Sequence, residues 1–397
     1  MADVTMWTGR HVKALRDATR KTQQQLADDL TCAQRTVSFW ESRPDGKVST
    51  GFQARLDRLL INADHGSKRR FYELTGDPDV NRRDFLASTA AVVGMSTLRG
   101  QDTPVVTADA IEHLKTTVHS AMQLDDKLGS NAARPIIEAQ AKTCATLLRD
   151  CPPSLRRQLH SLTGEATASH AWAVWDQGDA KGADEMFQLA YRHAAEAGDT
   201  DIAAGILCHR TQLAVNTHQY ARSADLADAM LLVPSHDGRV NDFRRLCAAQ
   251  AFAATGRTHD AWTQLGRVTD DYAEQTTPDE SYCYYQSRWT TGVKTARCLA
   301  LSGESQSAAD AVQATLPLIP AHAKRDQALS NFHLAQAAAA IDVDRACAAA
   351  RDAIDLTRGS ASPRVRQVYA DTRTHLNPWS STRAVRQLDD YAAGVLT

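Results

Sequence analysis

Eight cysteines, 14 histidines and 47 carboxylates are the side chains of this 397-residue chain that could bind a metal, attack an electrophile or carry a proton. Their spacing argues against all three. The cysteines stand at 32, 144, 151, 208, 247, 283, 298 and 347. None is spaced Cys-x-x-Cys, which zinc ribbons and thioredoxin-like motifs require. Isolated cysteines at alanine-like positions of a helical pattern read as small core residues. The histidines are scattered, with His209, His218 and His259 expected near turns or on helix surfaces. Cys208 and His209 are adjacent, but side chains at i and i+1 of a helix point apart. Asp125-Asp126 has no partner nearby in sequence. There is no Gly-rich phosphate loop, no Gly-x-Ser-x-Gly and no His-Glu-x-x-His. The expectation is a protein that is not an enzyme and uses no metal and no cofactor.

Chemistry being absent, charge and pattern must carry the function. The chain is 43% hydrophobic and 23% charged, an ordinary globular composition long enough for two or three domains. Its net charge of -2 excludes a histone-like coat. That balance is uneven, however: residues 1–75 hold 13 Lys/Arg and 9 Asp/Glu, a surplus of +4, which leaves -6 for the remainder. Gly at 20 and Pro at 12 are few for this length, and alanine runs such as Ala337 to Ala340 favour helix. No stretch alternates long enough to demand a strand. Pro78 and Pro104 bracket a segment, 76–104, that reads as a linker with one helix. Within it, Arg82-Arg83-Asp84-Phe85-Leu86 imitates a twin-arginine export signal. Its depth in the chain, the lack of a cleavage site and a 14-residue apolar run, Phe85 to Leu98, argue for a helix packed between domains instead. Met1 to Gly9 holds no apolar run, and the expected setting is the cytoplasm.

Three short helices are legible at the N-terminus. The first runs about Gly9 to Thr19, with Val12 and Leu15 inward. Thr22 and Gln25 form a capping box for the second, whose buried face is Leu26, Ala27 and Leu30. The third runs about Ala33 to Glu41, with Val37 and Trp40 on one side. Only Thr31 and Cys32 separate the last two, which demands a tight turn between crossed helices. A short helix presented in this way fits the ~12 Å major groove of DNA. Thr22-Gln23-x-x-Leu26-Ala27-x-x-Leu30 followed by Arg35-Thr36-Val37-Ser38-x-Trp40-Glu41 resembles the phage-repressor-like (Xre-type) helix-turn-helix family over residues 8–61. The resemblance implies a five-helix head in which Gln23 holds a phosphate and Ala33, Gln34, Arg35 and Phe39 face bases. Thr36 and Ser38 would lie within reach of the backbone, and Arg43 and Lys47 suit phosphates. Arg35 could hold guanine O6 and N7, and Gln34 adenine N6 and N7. It also matches Arg16 and Glu41 to a structural pair. Thr31 stands where the family usually has Gly, so a left-handed backbone there would be strained.

The remainder repeats. From Gly178, small or apolar residues follow at +5, +9 and +12: Ala183, Phe187 and Ala190. The offsets recur from His218 (Ser223, Ala227, Met230), Gly256 (Ala261, Leu265, Val268), Gly303 (Ala308, Val312) and Ile341 (Ala346, Ala350, Ala353). The gaps between these turns are 40, 38, 47 and 38 residues. Each unit reads as a helical hairpin whose +5 residue lets two helices approach. The pattern resembles the tetratricopeptide repeat over 155–357, although that repeat has a period of ~34; segments 105–150 and 362–395 read as flanking helix pairs. By that resemblance a concave groove carries Gln212, Gln250 and Arg297 as a polar ladder, with Asn216, Lys294 and Asn331 as helpers. Trp172 falls in the same register but is expected in the core.

The expected architecture is therefore all-α: a repressor-like head (1–75), a linker (76–104) and a tetratricopeptide-like α-solenoid (105–397). Bacterial regulators of this layout bind a pseudo-palindromic operator in double-stranded DNA as homodimers, and many bind a signalling peptide. The resemblance implies the same here, with a peptide or small molecule as signal. The alternative is an adaptor whose solenoid docks a protein and whose head only tethers.

Overall fold

Helix ends are where this sequence is most explicit, and the computed structural model is built from them. It describes residues 6–63, 67, 70–71, 74–75, 106–269, 281–357 and 363–395. The chain divides into two units, Met1–Thr97 and Leu98–Thr397. Among the described residues it is all-α, with 18 α-helices and no strand. The linker helix and the Arg82-Arg83 segment lie outside the described residues. None of the described helices is long and apolar enough to cross a membrane.

The first unit contains α1 (Gly9–Ala18), α2 (Gln23–Asp29), α3 (Gln34–Glu41) and α4 (Thr50–Asn62). The fifth helix expected here falls among residues described only in part. Thr22 Oγ1 accepts from the Gln25 N–H at 3.2 Å, and Gln25 Oε1 accepts from the Thr22 N–H at 2.8 Å, completing the capping box. At the other end of α2, Thr31 adopts φ 53°. Its N–H donates to Asp28 O at 3.0 Å and that of Cys32 to Ala27 O at 2.9 Å. This pair of bonds closes a helix with a left-handed residue, normally Gly. Val12, Leu15, Leu26, Leu30, Val37, Trp40, Leu56 and Leu60 form the core. Gly9 is required by close approach: a Cβ there would lie 1.9 Å from the Trp40 carbonyl oxygen.

The second unit is a succession of helix pairs. A leading pair, α5 (Ala108–Leu128) and α6 (Ser130–Leu147), precedes α7 (Arg156–Asp176) with α8 (Ala180–Ala197) and α9 (Thr200–Asn216) with α10 (Tyr220–Leu232). Next come α11 (Gly238–Ala254) with α12 (Thr258–Leu265), α13 (Arg288–Leu301) with α14 (Ser305–Thr315), and α15 (Lys324–Ala338) with α16 (Val343–Leu356). A last pair, α17 (Pro363–His375) and α18 (Arg383–Val395), follows. Partners pack together, and each pair packs on the next, as in a helical array.

The turns expected at 178, 218, 256 and 303 each hold a residue at positive φ, Gly three times and His218 once. In each, that residue and its successor repeat the two hydrogen bonds seen at Thr31, such as Gly178 N–H to Trp175 O at 2.8 Å and Asp179 N–H to Val174 O at 3.3 Å. The turn at 341 is made differently, with Asp342 capping the N–H groups of Asp344 and Arg345. All five residues at +5, Ala183, Ser223, Ala261, Ala308 and Ala346, are buried. The copy from Gly256 degenerates after them, because α12 stops at Leu265 and leaves Val268 beyond the helix. That gap of 47 residues contains an insertion whose described part, 281–287, carries Tyr282, Tyr284 and Tyr285. Gly205 admits the Tyr282 ring, which lies 2.3 Å from where a Cβ would be.

Candidate functional site

Each unit carries a candidate surface. In the first, Val37 and Trp40 anchor α3 inward, so Gln34, Arg35, Ser38 and Phe39 face solvent, with Ala33 exposed at the N-cap. Thr36 is half-buried, whereas Arg43 and Lys47 are exposed. Gln34, Arg35 and Lys47 make no side-chain hydrogen bond or ion pair to a described residue. Phe39 is 51% exposed, and the Arg43 guanidinium lies 4.3 Å from its ring centroid. That stacking holds an aromatic face and a cation together beside the α3 N-terminal half.

The α3 helix is fixed by a polar knot at its far end. Arg16 Nε donates to Glu41 Oε1 at 2.6 Å and a terminal guanidinium nitrogen to Oε2 at 3.4 Å, while Arg16 Nη1 meets Asp17 Oδ1 at 2.7 Å. The hydrogen bond to Glu41, against the cost of burial, holds the Arg16 pKa above its usual value. Gln23 Nε2 donates to Glu41 Oε2 at 2.7 Å. Arg16 and Glu41 thus form the structural pair expected of them. The Gln23 amide, read from the sequence as a phosphate ligand, is engaged within the protein.

In the second unit the first helices of successive pairs turn around a cavity of about 410 Å³. The array curls until α17 meets α7: Arg364 lies over the Trp172 and Trp175 rings at 4.8 and 4.3 Å, and Pro363 packs on Gly178. Gln212, Gln250, Lys294 and Arg297 all line this space. Asn216 and Asn331 do not; each amide donates to the carbonyl four residues back on its own helix, Gln212 at 2.8 Å and Gln327 at 2.9 Å. Trp172, expected in the core, lines the cavity as well.

One expectation from the sequence is corrected here. His209 does not lie at a surface: it is buried among Trp172, Phe187, Phe243, Tyr282 and Tyr285. Burial, with Lys294 and Arg364 nearby, pushes its pKa down to about 3, so the ring is neutral. Tyr285 Oη is 3.1 Å from its Nε2. Asp125 and Asp126 do have partners, far away in sequence: Arg325 lies 3.3 Å from Asp125 Oδ2, and Tyr284 Oη donates to Asp126 Oδ2 at 2.6 Å. Burial nevertheless raises the Asp126 pKa. The polar ladder of Gln212, Gln250 and Arg297 lines the cavity.

Of the cations that converge on the cavity, Lys294 and Arg297 were expected from the repeat register, whereas Arg325 and Arg364 were not. Arg325 also faces Asp176 at 3.8 Å, and despite its burial these carboxylates keep its pKa raised. Lys294 Nζ sits 4.6 Å from the Phe243 centroid, and burial lowers its pKa. Arg297 is brought down to about 10 by burial and by the Arg364 charge. Cys208, Cys247 and Cys283 are buried behind this wall. Among the described residues no group of three or more His, Cys, Asp or Glu side chains is placed to hold a metal ion. A scan against protein-family models and a search of curated proteins both find no match for this chain.

Proposed function

We propose that the protein is a sequence-specific DNA-binding transcriptional regulator, its Xre-like head reading the major groove through α3 and its tetratricopeptide-like body binding a signal. The observation that carries this reading is the α2–turn–α3 geometry. A capped helix and a left-handed residue at Thr31 present a short helix whose N-terminal half exposes Gln34 and Arg35. Those two side chains make no bond within the described residues and suit adenine and guanine edges. Ser38, Arg43 and Lys47 stand along the same helix or the loop beyond it, where phosphates would pass. Acting as a homodimer, the protein would take a pseudo-palindromic site with half-sites about one helical turn apart. A cavity of about 410 Å³ falls in the range of small-molecule sites and favours a compact signal.

Selection of bound fragments from genomic DNA tests the proposal, and an enriched motif is expected. Arg35→Ala should then cost about 1–3 kcal/mol and relax preference at one base position. An equal loss on all sequences would make Arg35 a phosphate contact. No enrichment at all would favour an adaptor instead, with the head as a tether.

A further inference from the structure

The charges lining the cavity are segregated. Asp125, Asp126 and Asp326, on α5 and α15, gather with Asp176 around Arg325, so the cation at that end is amply paired. The cations at the other end are not. The charged side chains nearest Lys294, cysteines apart, are two more cations, Arg297 and Arg364. Neither Lys294 nor Arg297 forms an ion pair or a side-chain hydrogen bond with any described residue. Arg364 has Asp176 at 4.0 Å, but that carboxylate is shared with Arg325.

Three cations from two helices therefore face one another inside the body, and Asp176, the one described carboxylate within 4.0 Å of any of them, is shared with Arg325. Burying unpaired charge costs several kcal/mol, and repulsion between Lys294, Arg297 and Arg364 adds to it. Of the three histidines in the wall, His209 and His333 add no positive charge to it, since burial holds both neutral, with pKa values of about 3. The same cavity is lined by the apolar rings of Trp172, Phe243 and Tyr285 and by Gln212.

We propose that this chamber is a receptor for a small organic oxyanion with an aromatic or aliphatic body. The oxyanion would be seated on Lys294, Arg297 and Arg364, and the body against Trp172, Phe243 and Tyr285. An anion placed there completes the missing half of three ion pairs. It also removes the repulsion between α13 and α17, drawing α17 in on the ligand. This deepens the reading of the body as a signal-binding module and rests on it.

The test uses the full-length protein and three probes: phenylacetate, phenyl phosphate and the neutral phenylacetamide. Trp172 and Trp289 line the cavity, so tryptophan fluorescence and calorimetry both report occupancy. Both anions are expected to bind in competition at one site, at least about tenfold more tightly than the amide, because charge-assisted bonds are about twice as strong as neutral ones. The ratio of phosphate to carboxylate affinity then distinguishes the two headgroups. Lys294→Met and Arg297→Met should each lower the anion-over-amide ratio by about tenfold, while a purely structural role would move both affinities together. Equal binding of the amide, survival of the ratio in both variants, or no anion binding overturns the proposal. DNA plays no part in this titration, so its failure leaves the head's function standing, and loss of DNA binding leaves the cavity assignment standing.

Discussion

Removing Arg16 is the sharpest perturbation of α3, because it acts on that helix without touching the face proposed to meet DNA. Glu41 closes α3 with its side chain only 8% exposed, against 18% for Arg16. The pair is bidentate, at 2.6 and 3.4 Å, and the Gln23 amide adds a third bond at 2.7 Å. In Arg16→Met the carboxylate would keep Gln23 alone. Breaking a buried pair costs about 3–5 kcal/mol; partial access of water to Arg16 brings the expectation to about 2–4 kcal/mol. Glu41→Gln leaves Arg16 still paired with Asp17 at 2.7 Å and open to solvent, and should cost less. A double-mutant cycle on the full chain should return a coupling of about 2 kcal/mol, against about 0–1 for a surface pair. Hydrogen exchange read by mass spectrometry on peptides spanning residues 9–41 measures it, since local opening of α1–α3 exposes those amides. If α3 reads DNA as proposed, affinity for the selected site should fall with it although Arg35 is intact. A coupling below about 0.5 kcal/mol would refute the claim that this knot holds α3.

Two further outcomes follow from backbone and burial. Thr31→Gly should stabilise the head by about 0.5–1 kcal/mol in denaturant melts, because a β-branched residue at φ 53° carries strain that Gly does not; a loss of stability would mean that the Thr31 side chain compensates for it. Since the His209 pKa is depressed to about 3, the unfolded chain binds a proton that the folded one refuses, so stability should fall as the pH drops from about 6.5 towards 3. His209→Phe should remove on the order of 1 kcal/mol per pH unit from that slope in urea unfolding at pH 4 to 6, and an unchanged slope would place the proton sensitivity elsewhere.

Local grammar made much of this legible. The Thr22/Gln25 box, the left-handed Thr31 and the Arg16–Glu41 pair were all readable from positions within one motif, and each has the expected geometry. The repeat turns were readable for a similar reason: a Gly, or His218 in its place, ends one helix, and a small residue five positions on admits the next. Where the local grammar weakened, so did the reading. The copy from Gly256 loses its last position because α12 is short, and the tyrosines at 282, 284 and 285 follow no repeat offset. Groove positions transferred from the repeat register placed Gln212, Gln250 and Arg297 on the cavity wall. Asn216 and Asn331, neighbours in the same register, bond back to their own helices instead.

By itself, then, the sequence determined what depends on neighbours along the chain: helix ends, turn conformations, the spacing of small residues and the basic surplus of the first 75 positions. Tertiary structure alone decided what depends on the array's curvature. Small rotations between successive pairs add up until α17 meets α7, and no single repeat encodes that sum. Only this closure brings Arg325 to Asp125, 200 residues away, and sets Arg364 against Trp172. It also sets Arg364 beside Lys294 and Arg297, while His209 is buried by its neighbours Trp172, Phe187, Phe243, Tyr282 and Tyr285. Partners of that kind are chosen by distance in space, to which spacing along the chain is blind.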